Sequence, residues 1–168
     1  MRWAEEYLMD KQGIVFSRRK VTRPAFPGSD HDELTTREFE LQSASGELSW
    51  QWQAHGFNYG IDVKYERQVA AGQIVVVNGS REHTKQLEHH EHIRIVEVVV
   101  SPEALQARLI TRGRESGQKI AERLERNQLF TELNVHHRIV NDGELAESGK
   151  AFADYLEMGC ITSSSIAR

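Results

Sequence analysis

Short runs dense in valine and isoleucine recur along the chain, each bounded by polar or turn-forming residues: IVFS at 14–17, QIVVVN at 73–78, IRIVEVVV at 93–100 and HRIVND at 137–142. Runs this short, and this rich in β-branched side chains, predict strands buried on both faces. Between them the spacing turns helical. DVKYERQVAAG closes on Gly72, REHTKQLEHH follows the second run, and SPEALQARLITR offers Ser101 as an N-cap with Pro102 in the first turn. A last helical segment, ELAESGKAFADYLEM, comes after Asp142 and Gly143. Strand alternating with helix predicts an α/β fold, a parallel sheet with helices on its faces.

Residues 24 to 60 break the alternation with RPAFPGSDHDE, a short helical TTREFELQ and the aromatic SWQWQAHGFNYG. A departure of that length predicts an insertion forming a substrate-binding lobe. The chain opens on a helical segment that places Trp3, Tyr7 and Leu8 on one face, with no strand ahead of it. The small, polar tail ITSSSIAR reads as frayed.

Composition narrows the class. With 168 residues, 39% of them hydrophobic, the chain can bury one sizeable core and is read as a single domain, 1–168. A net charge of −4 argues against general nucleic-acid binding, which needs a basic face. Cys160 is the single cysteine, so no internal disulfide forms, which points to the cytoplasm. The opening MRWAEEYLMDKQ lacks the apolar core of a signal peptide, and no run reaches the roughly 18 apolar residues of a membrane span. No membrane or nucleic-acid partner is expected.

Several segments carry candidate chemistry. Gly113 and Gly117 bracket a turn bearing Arg112 and Arg114, and Arg123 and Arg126 follow three residues apart on a helical segment. Guanidinium groups on a mobile corner suit a phosphate clamp, because the fork donates paired hydrogen bonds and keeps its charge. A solvated helix pair, with Glu115, Glu122 and Glu125 as partners, accounts for the same residues. Asn78, Gly79, Ser80 and Arg81 follow a strand, where ligands bind in open parallel sheets, although a plain strand-to-helix turn uses the same residues. Arg23, before Pro24, is a phosphate anchor or a surface charge. The cluster EHHEH at 88–92 could place Glu88, His89 and His92 at helical spacing for a metal, but lacks a clear fourth ligand and reads as the end of a surface helix. His136 and His137 read as surface residues ahead of a strand.

Taken in order, TRPAFPG, HGFNYG, VVVNGSRE, VVVSPEALQARLITRGRES, IAERLER and IVNDGEL resemble the ribose 1,5-bisphosphate phosphokinases, a guanylate-kinase-like family of phosphonate breakdown, over roughly residues 14 to 158. The resemblance implies a P-loop-kinase-like parallel sheet, and transfer of a phosphoryl group from ATP, with Mg2+, to ribose 1,5-bisphosphate, giving 5-phosphoribosyl 1-diphosphate. It implies that residues 112–120 form a lid whose Arg112 and Arg114 cover the ATP phosphates, that Arg123 reaches the transferred group, and that Asn141 lies beside adenine. Arg23, Tyr59, Asn78, Ser80 and Arg81 would line the sugar-phosphate site. Guanylate kinases carry a second arginine where Phe26 stands, and acidic guanine-reading residues near Gln51 and VNGSR, so a nucleobase reader is expected to be lost.

The family's G-x-x-x-x-G-K-[ST] loop and the central strand before it do not occur in these 168 residues. On the order of 20 residues are accordingly expected to be missing ahead of Met1, leaving the chain inactive as it stands and the sheet vacant between the strands at 73–78 and 93–100. A non-catalytic phosphosugar- or nucleotide-binding protein, and a guanylate-kinase-like nucleoside monophosphate kinase, are the alternatives.

Overall fold

A computed structural model describes residues 1–112, 117, 121, 124, 125 and 134–166, the side chains of 112 and 160–166 excepted. The chain divides into two units, Met1–Ser80 with Ala153–Arg168, and Arg81–Phe152.

The first unit contains, in order, α1 (Arg2–Tyr7), β1 (Ile14–Phe16), β2 (Arg19–Val21), β3 (His31–Glu33), α2 (Thr36–Ala44), β4 (Leu48–Ala54), β5 (Phe57–Asp62), α3 (Lys64–Ala70) and β6 (Ile74–Val76). The second holds α4 (Arg81–Gln86), β7 (Val96–Val99), α5 (Pro102–Arg112) and β8 (His137–Val140). Helix α6 (Leu145–Ile166) starts in the second unit and contributes residues from Ala153 onward to the first.

All four apolar runs become strands, and they pair in parallel. β1 lies beside β6 with Phe16 opposite Val76, and β7 beside β8 with Val98 opposite Ile139. The expected single parallel sheet is thus present, among the described residues, as two separate two-stranded ladders. The strands are also less enclosed than the sequence suggests. Ile139 is buried, but Val98 is 51% and Val140 61% exposed.

Between β1 and β6 stands a four-stranded sheet in the order β3-β2-β5-β4, built from residues 19 to 62, whose strands the apolar runs did not predict. Its β4–β5 hairpin turns on His55 (φ 53°) and Gly56 (φ 78°), the two consecutive positive φ angles of a type I′ turn, whose twist matches the flanking strands. β2 and β3 run parallel, with Arg19 opposite His31. The chain has only the loop 22–30 in which to cross over, and Gly28 (φ 86°) makes the left-handed bend there. Helix α2 opens with a capping box, in which Thr35 accepts from the Glu38 backbone while the Glu38 side chain accepts from Thr35.

The core of this unit is Val21, Trp52, Tyr59, Ile61 and Tyr65, with Val15, Val75 and Val77 packed against it. One apolar cluster therefore joins the inserted sheet to the β1–β6 ladder. The opening helix forms as expected, over Arg2–Tyr7. Ala4 and Leu8 are buried, whereas Trp3 stacks on the half-exposed Tyr7 at 5.0 Å.

Candidate active site

Ligand sites in parallel sheets form beyond the carboxyl ends of strands. β1 and β6 end together, and each hands on to polar residues. Ser17 is tied down first: its backbone N–H and its hydroxyl both donate to the Val76 carbonyl, at 2.9 and 3.0 Å. The Arg18 backbone N–H then donates to the Tyr65 hydroxyl at 2.9 Å, so the turn into β2 is held from both sides.

Arg19 enters the lobe as a nearly enclosed cation. Its side chain is 12% exposed, and its guanidinium lies 5.8 Å from the centroid of Tyr59. Nη2 donates to both oxygens of Asp30, at 2.8 and 2.7 Å, and Nη1 reaches the Asn78 carbonyl at 3.4 Å. Its Nε is buried without a partner among the described residues. From the end of β6, the Asn78 amide donates to Asp30 Oδ2 at 3.1 Å. Tyr59 is positioned in turn by stacking on Trp52 at 5.2 Å.

The charges around this cluster set each other's protonation. Partial burial acts to raise the Asp30 pKa, but the charge and hydrogen bond of Arg19 and the bond from Asn78 outweigh it and hold the carboxyl below the ordinary aspartate range. Asp32 behaves alike. Burial pushes it up, and Arg18 Nε at 2.9 Å with Lys20 Nζ at 3.2 Å pulls it lower. Between the two carboxylates, the His31 side chain is 1% exposed and donates from Nε2 to the Arg23 carbonyl at 3.2 Å, leaving Nδ1 3.7 Å from Asp30 Oδ1. His31 thereby anchors the backbone of Arg23, whose guanidinium makes no hydrogen bond or ion pair among the described residues.

Of the residues expected at the sugar-phosphate site, Tyr59 and Asn78 come together around Arg19, and Arg23 begins the adjoining loop. Ser80 is the last residue of the first unit, whereas Arg81 opens the second, its Nη2 3.6 Å from Glu97 Oε1. Glu97 also accepts from Arg138 Nε at 3.0 Å, so Arg81 belongs to a paired, largely buried carboxylate on β7. Asn141 follows β8. Its backbone N–H donates to the Val99 carbonyl at 2.8 Å, and its amide oxygen lies 3.0 Å from the Ser148 hydroxyl. The neighbouring turn is fixed by the Ser101 N–H on Asp142 Oδ1 at 2.7 Å and by Arg108 on the Gly143 carbonyl at 3.0 Å. Arg112 ends α5, with its side chain outside the described set, and Arg114 and Arg123 lie outside the described residues altogether. The EHHEH segment does not sit on a helix: α4 ends at Gln86, which removes the spacing that would have grouped its histidines.

Arg19, Asp30 and His31 are the members that sequence reasoning missed. A signal existed in the opposed charge runs RRK at 18–20 and DHDE at 30–33, which the β2–β3 register brings side by side.

Comparison with known proteins gives this arrangement a family. No family model matches the chain. Curated relatives do: a ribose 1,5-bisphosphate phosphokinase PhnN of Agrobacterium fabrum is 34% identical over 97% of this chain and 91% of its own length. That of Thiobacillus denitrificans is 35% identical over 93% and 84%. The chain belongs to the ribose 1,5-bisphosphate phosphokinase family. A further member, from Pseudofrankia inefficax, is 39% identical over 80% of this chain and 71% of its own. Among solved structures, guanylate kinase from Anaplasma phagocytophilum superposes with a TM-score of 0.72, covering 93% of this chain and 79% of that one at 19% identity. The family fold is therefore guanylate-kinase-like α/β, as the motifs implied, and the family is one of kinases.

Proposed function

We propose that the chain is part of an ATP-dependent phosphotransferase that converts ribose 1,5-bisphosphate to 5-phosphoribosyl 1-diphosphate, competent for transfer only with a G-x-x-x-x-G-K-[ST] loop that these 168 residues do not contain, and that the cluster around Arg19 is its acceptor site. The transfer breaks the bond between the β- and γ-phosphates of ATP and joins the γ-phosphoryl group to an oxygen of the 1-phosphate, releasing ADP. The observation that carries this reading is identity of about a third to relatives bearing that name, over most of both chains. The site supports it chemically. An acceptor with two phosphates needs fixed cations, and Arg19 is held by Asp30, Tyr59 and Asn78 while Arg23, on the neighbouring loop, makes no hydrogen bond or ion pair among the described residues. No base-reading carboxylate is needed for a sugar, which accords with Gln51 and with Asn78 to Arg81 at the positions where guanylate kinases read guanine.

On the donor side, Asn141 is proposed beside adenine, and Arg112, Arg114 and Arg123 at the phosphates, where cations offset the charge of the transferring group. ATP as donor and a cytoplasmic location belong to the same proposal. Mg2+ belongs to the same proposal: such an ion is held largely by the phosphates of its substrate with one or two side chains, and no step is assigned to it.

Acceptor choice tests the proposal. Binding of ribose 1,5-bisphosphate and of guanosine monophosphate is compared by titration calorimetry, and 31P NMR is expected to show transfer from ATP only with a chain extended by the strand and phosphate loop. Preference for the sugar bisphosphate is the expected result. Equal or better binding of the nucleotide would return the site to nucleoside monophosphate chemistry.

A further inference from the structure

The acceptor cluster contains a carboxylate whose presence the cations alone do not explain. An aspartate in a site for a bisphosphate repels the ligand's charge, yet Asp30 is built in firmly: Arg19 grips both its oxygens and Asn78 donates to Oδ2. Arg19 is 12% exposed, but the Asp30 side chain is 54% exposed, so the cation lies behind the carboxylate and the carboxylate faces outward. Its oxygens have lone pairs left for a ligand, because a carboxylate offers about four acceptor positions. An ionised carboxylate can only accept. In a pentose carrying phosphates on carbons 1 and 5, the groups that can donate at neutral pH are the hydroxyls on carbons 2 and 3, the phosphate oxygens being acceptors.

We propose that Asp30 is a specificity-determining residue of the acceptor site, its carboxylate, held in place by Arg19 and Asn78, accepting hydrogen bonds from the ring hydroxyls of a ribose bisphosphate. This rests on the phosphosugar reading given above and deepens it, because it selects pentoses with free hydroxyls over their deoxy counterparts. Arg19 then has two tasks. It offsets the repulsion between Asp30 and the phosphates, and it keeps the acceptor atoms from swinging away when the site is empty. A site built to bond a hydroxyl also rejects an analogue lacking it, since the acceptor is left unpaired on binding.

The test is calorimetric binding of ribose 1,5-bisphosphate and of its 2-deoxy-2-fluoro and 3-deoxy-3-fluoro analogues, which match its size but cannot donate. Wild-type protein should bind at least one analogue about 10- to 100-fold more weakly, the range for a hydrogen bond to a charged acceptor. Asp30→Asn keeps the shape and one acceptor oxygen, and it should narrow that gap to within about threefold, with unchanged circular dichroism. Equal affinities in the wild type overturn the inference without recourse to any variant. So does an undiminished gap in Asp30→Asn, or tighter binding of all three ligands by that variant, which would mean that Asp30 merely masks Arg19. Failure of ribose 1,5-bisphosphate to bind, or preference for guanosine monophosphate, sinks the phosphosugar reading as well. Binding without hydroxyl discrimination sinks only the role of Asp30.

Discussion

Replacing Gly60 by alanine should loosen the lobe that carries the proposed acceptor site. Gly60 is buried in β5, opposite Lys20 of β2 on one side and Gln51 of β4 on the other. A Cβ there would stand 2.9 and 3.1 Å from the two methyl carbons of Leu48 and 3.2 Å from Phe39 Cε2. Carbon atoms rest at about 3.5–4.0 Å, so the nearest contact overlaps by roughly half an ångström. Leu48 and Phe39 are themselves buried, which leaves them little room to yield. Overpacking of this kind costs about 1–3 kcal/mol, toward the lower end here because the Leu48 methyls end a rotatable side chain. Alanine recovers about 0.4–1 kcal/mol by restricting the unfolded chain. The net loss is about 0.5–1 kcal/mol, or roughly 1–4 °C in Tm for a chain of this size. Urea and thermal unfolding of Gly60→Ala, Leu48→Ala and the double variant would measure it. Because Leu48→Ala vacates the space that the new methyl needs, the double variant should be more stable than the sum of the single losses predicts. Wild-type stability in Gly60→Ala, or strict additivity in the cycle, would refute the argument that α2 packs on this strand only because position 60 has no side chain.

Ser17→Ala should cost less than about 1 kcal/mol in urea unfolding, because the Val76 carbonyl that loses the hydroxyl keeps the Ser17 N–H; a loss well above that would mean that the hydroxyl serves another buried group. Stability should fall in acid: Asp30 and Asp32 have folded pKa values below their unfolded value of about 3.9, so their contribution is complete above that pH and is lost as pH drops through the lowered folded values, and Asp32→Asn should flatten the urea midpoint between pH 5 and 2. If Arg112 and Arg114 cover the transferring phosphate, alanine at either position in a chain extended by the strand and phosphate loop should lower turnover about 10²- to 10³-fold with little change in Tm, and lysine should not restore it; unchanged turnover in both alanine variants of that chain would return them to a solvated surface.

How much of this was legible in the sequence depended on what stabilises each element. β1, β6, β7 and β8 were visible because they are held by apolar side chains, and the Ser101 cap was visible because capping is local: its hydroxyl accepts from Ala104 N–H at 3.2 Å. β2 and β3 were not, since RKV and HDE carry almost no hydrophobic pattern and are stabilised by cross-strand charge pairs that exist only once the strands meet. The β4–β5 hairpin did leave a trace, in the alternation of WQWQA and FNYGI about a His-Gly pair, but the segment reads only as part of an insertion. Within the site, Tyr59 was found through resemblance, and Asn78 already from its place after the strand at 73–78. Arg19 and Asp30 were missed because their meaning lies in the contact between two segments eleven residues apart, which no motif window spans.

The central claim is that this lobe binds a sugar bisphosphate at Arg19, and the side-chain N–H signals of isotopically labelled protein test it most directly. Arg19 Nε is buried and unpartnered among the described residues, and Asn78 Nδ2 lies beside it on Asp30, so both protons report on the cluster itself. Titration with ribose 1,5-bisphosphate should move the Arg19 Nε–H and Asn78 amide resonances in a saturable way, and guanosine monophosphate at equal concentration should leave them in place. Saturable binding that shifts neither resonance, or equal shifts from both ligands, would contradict the account.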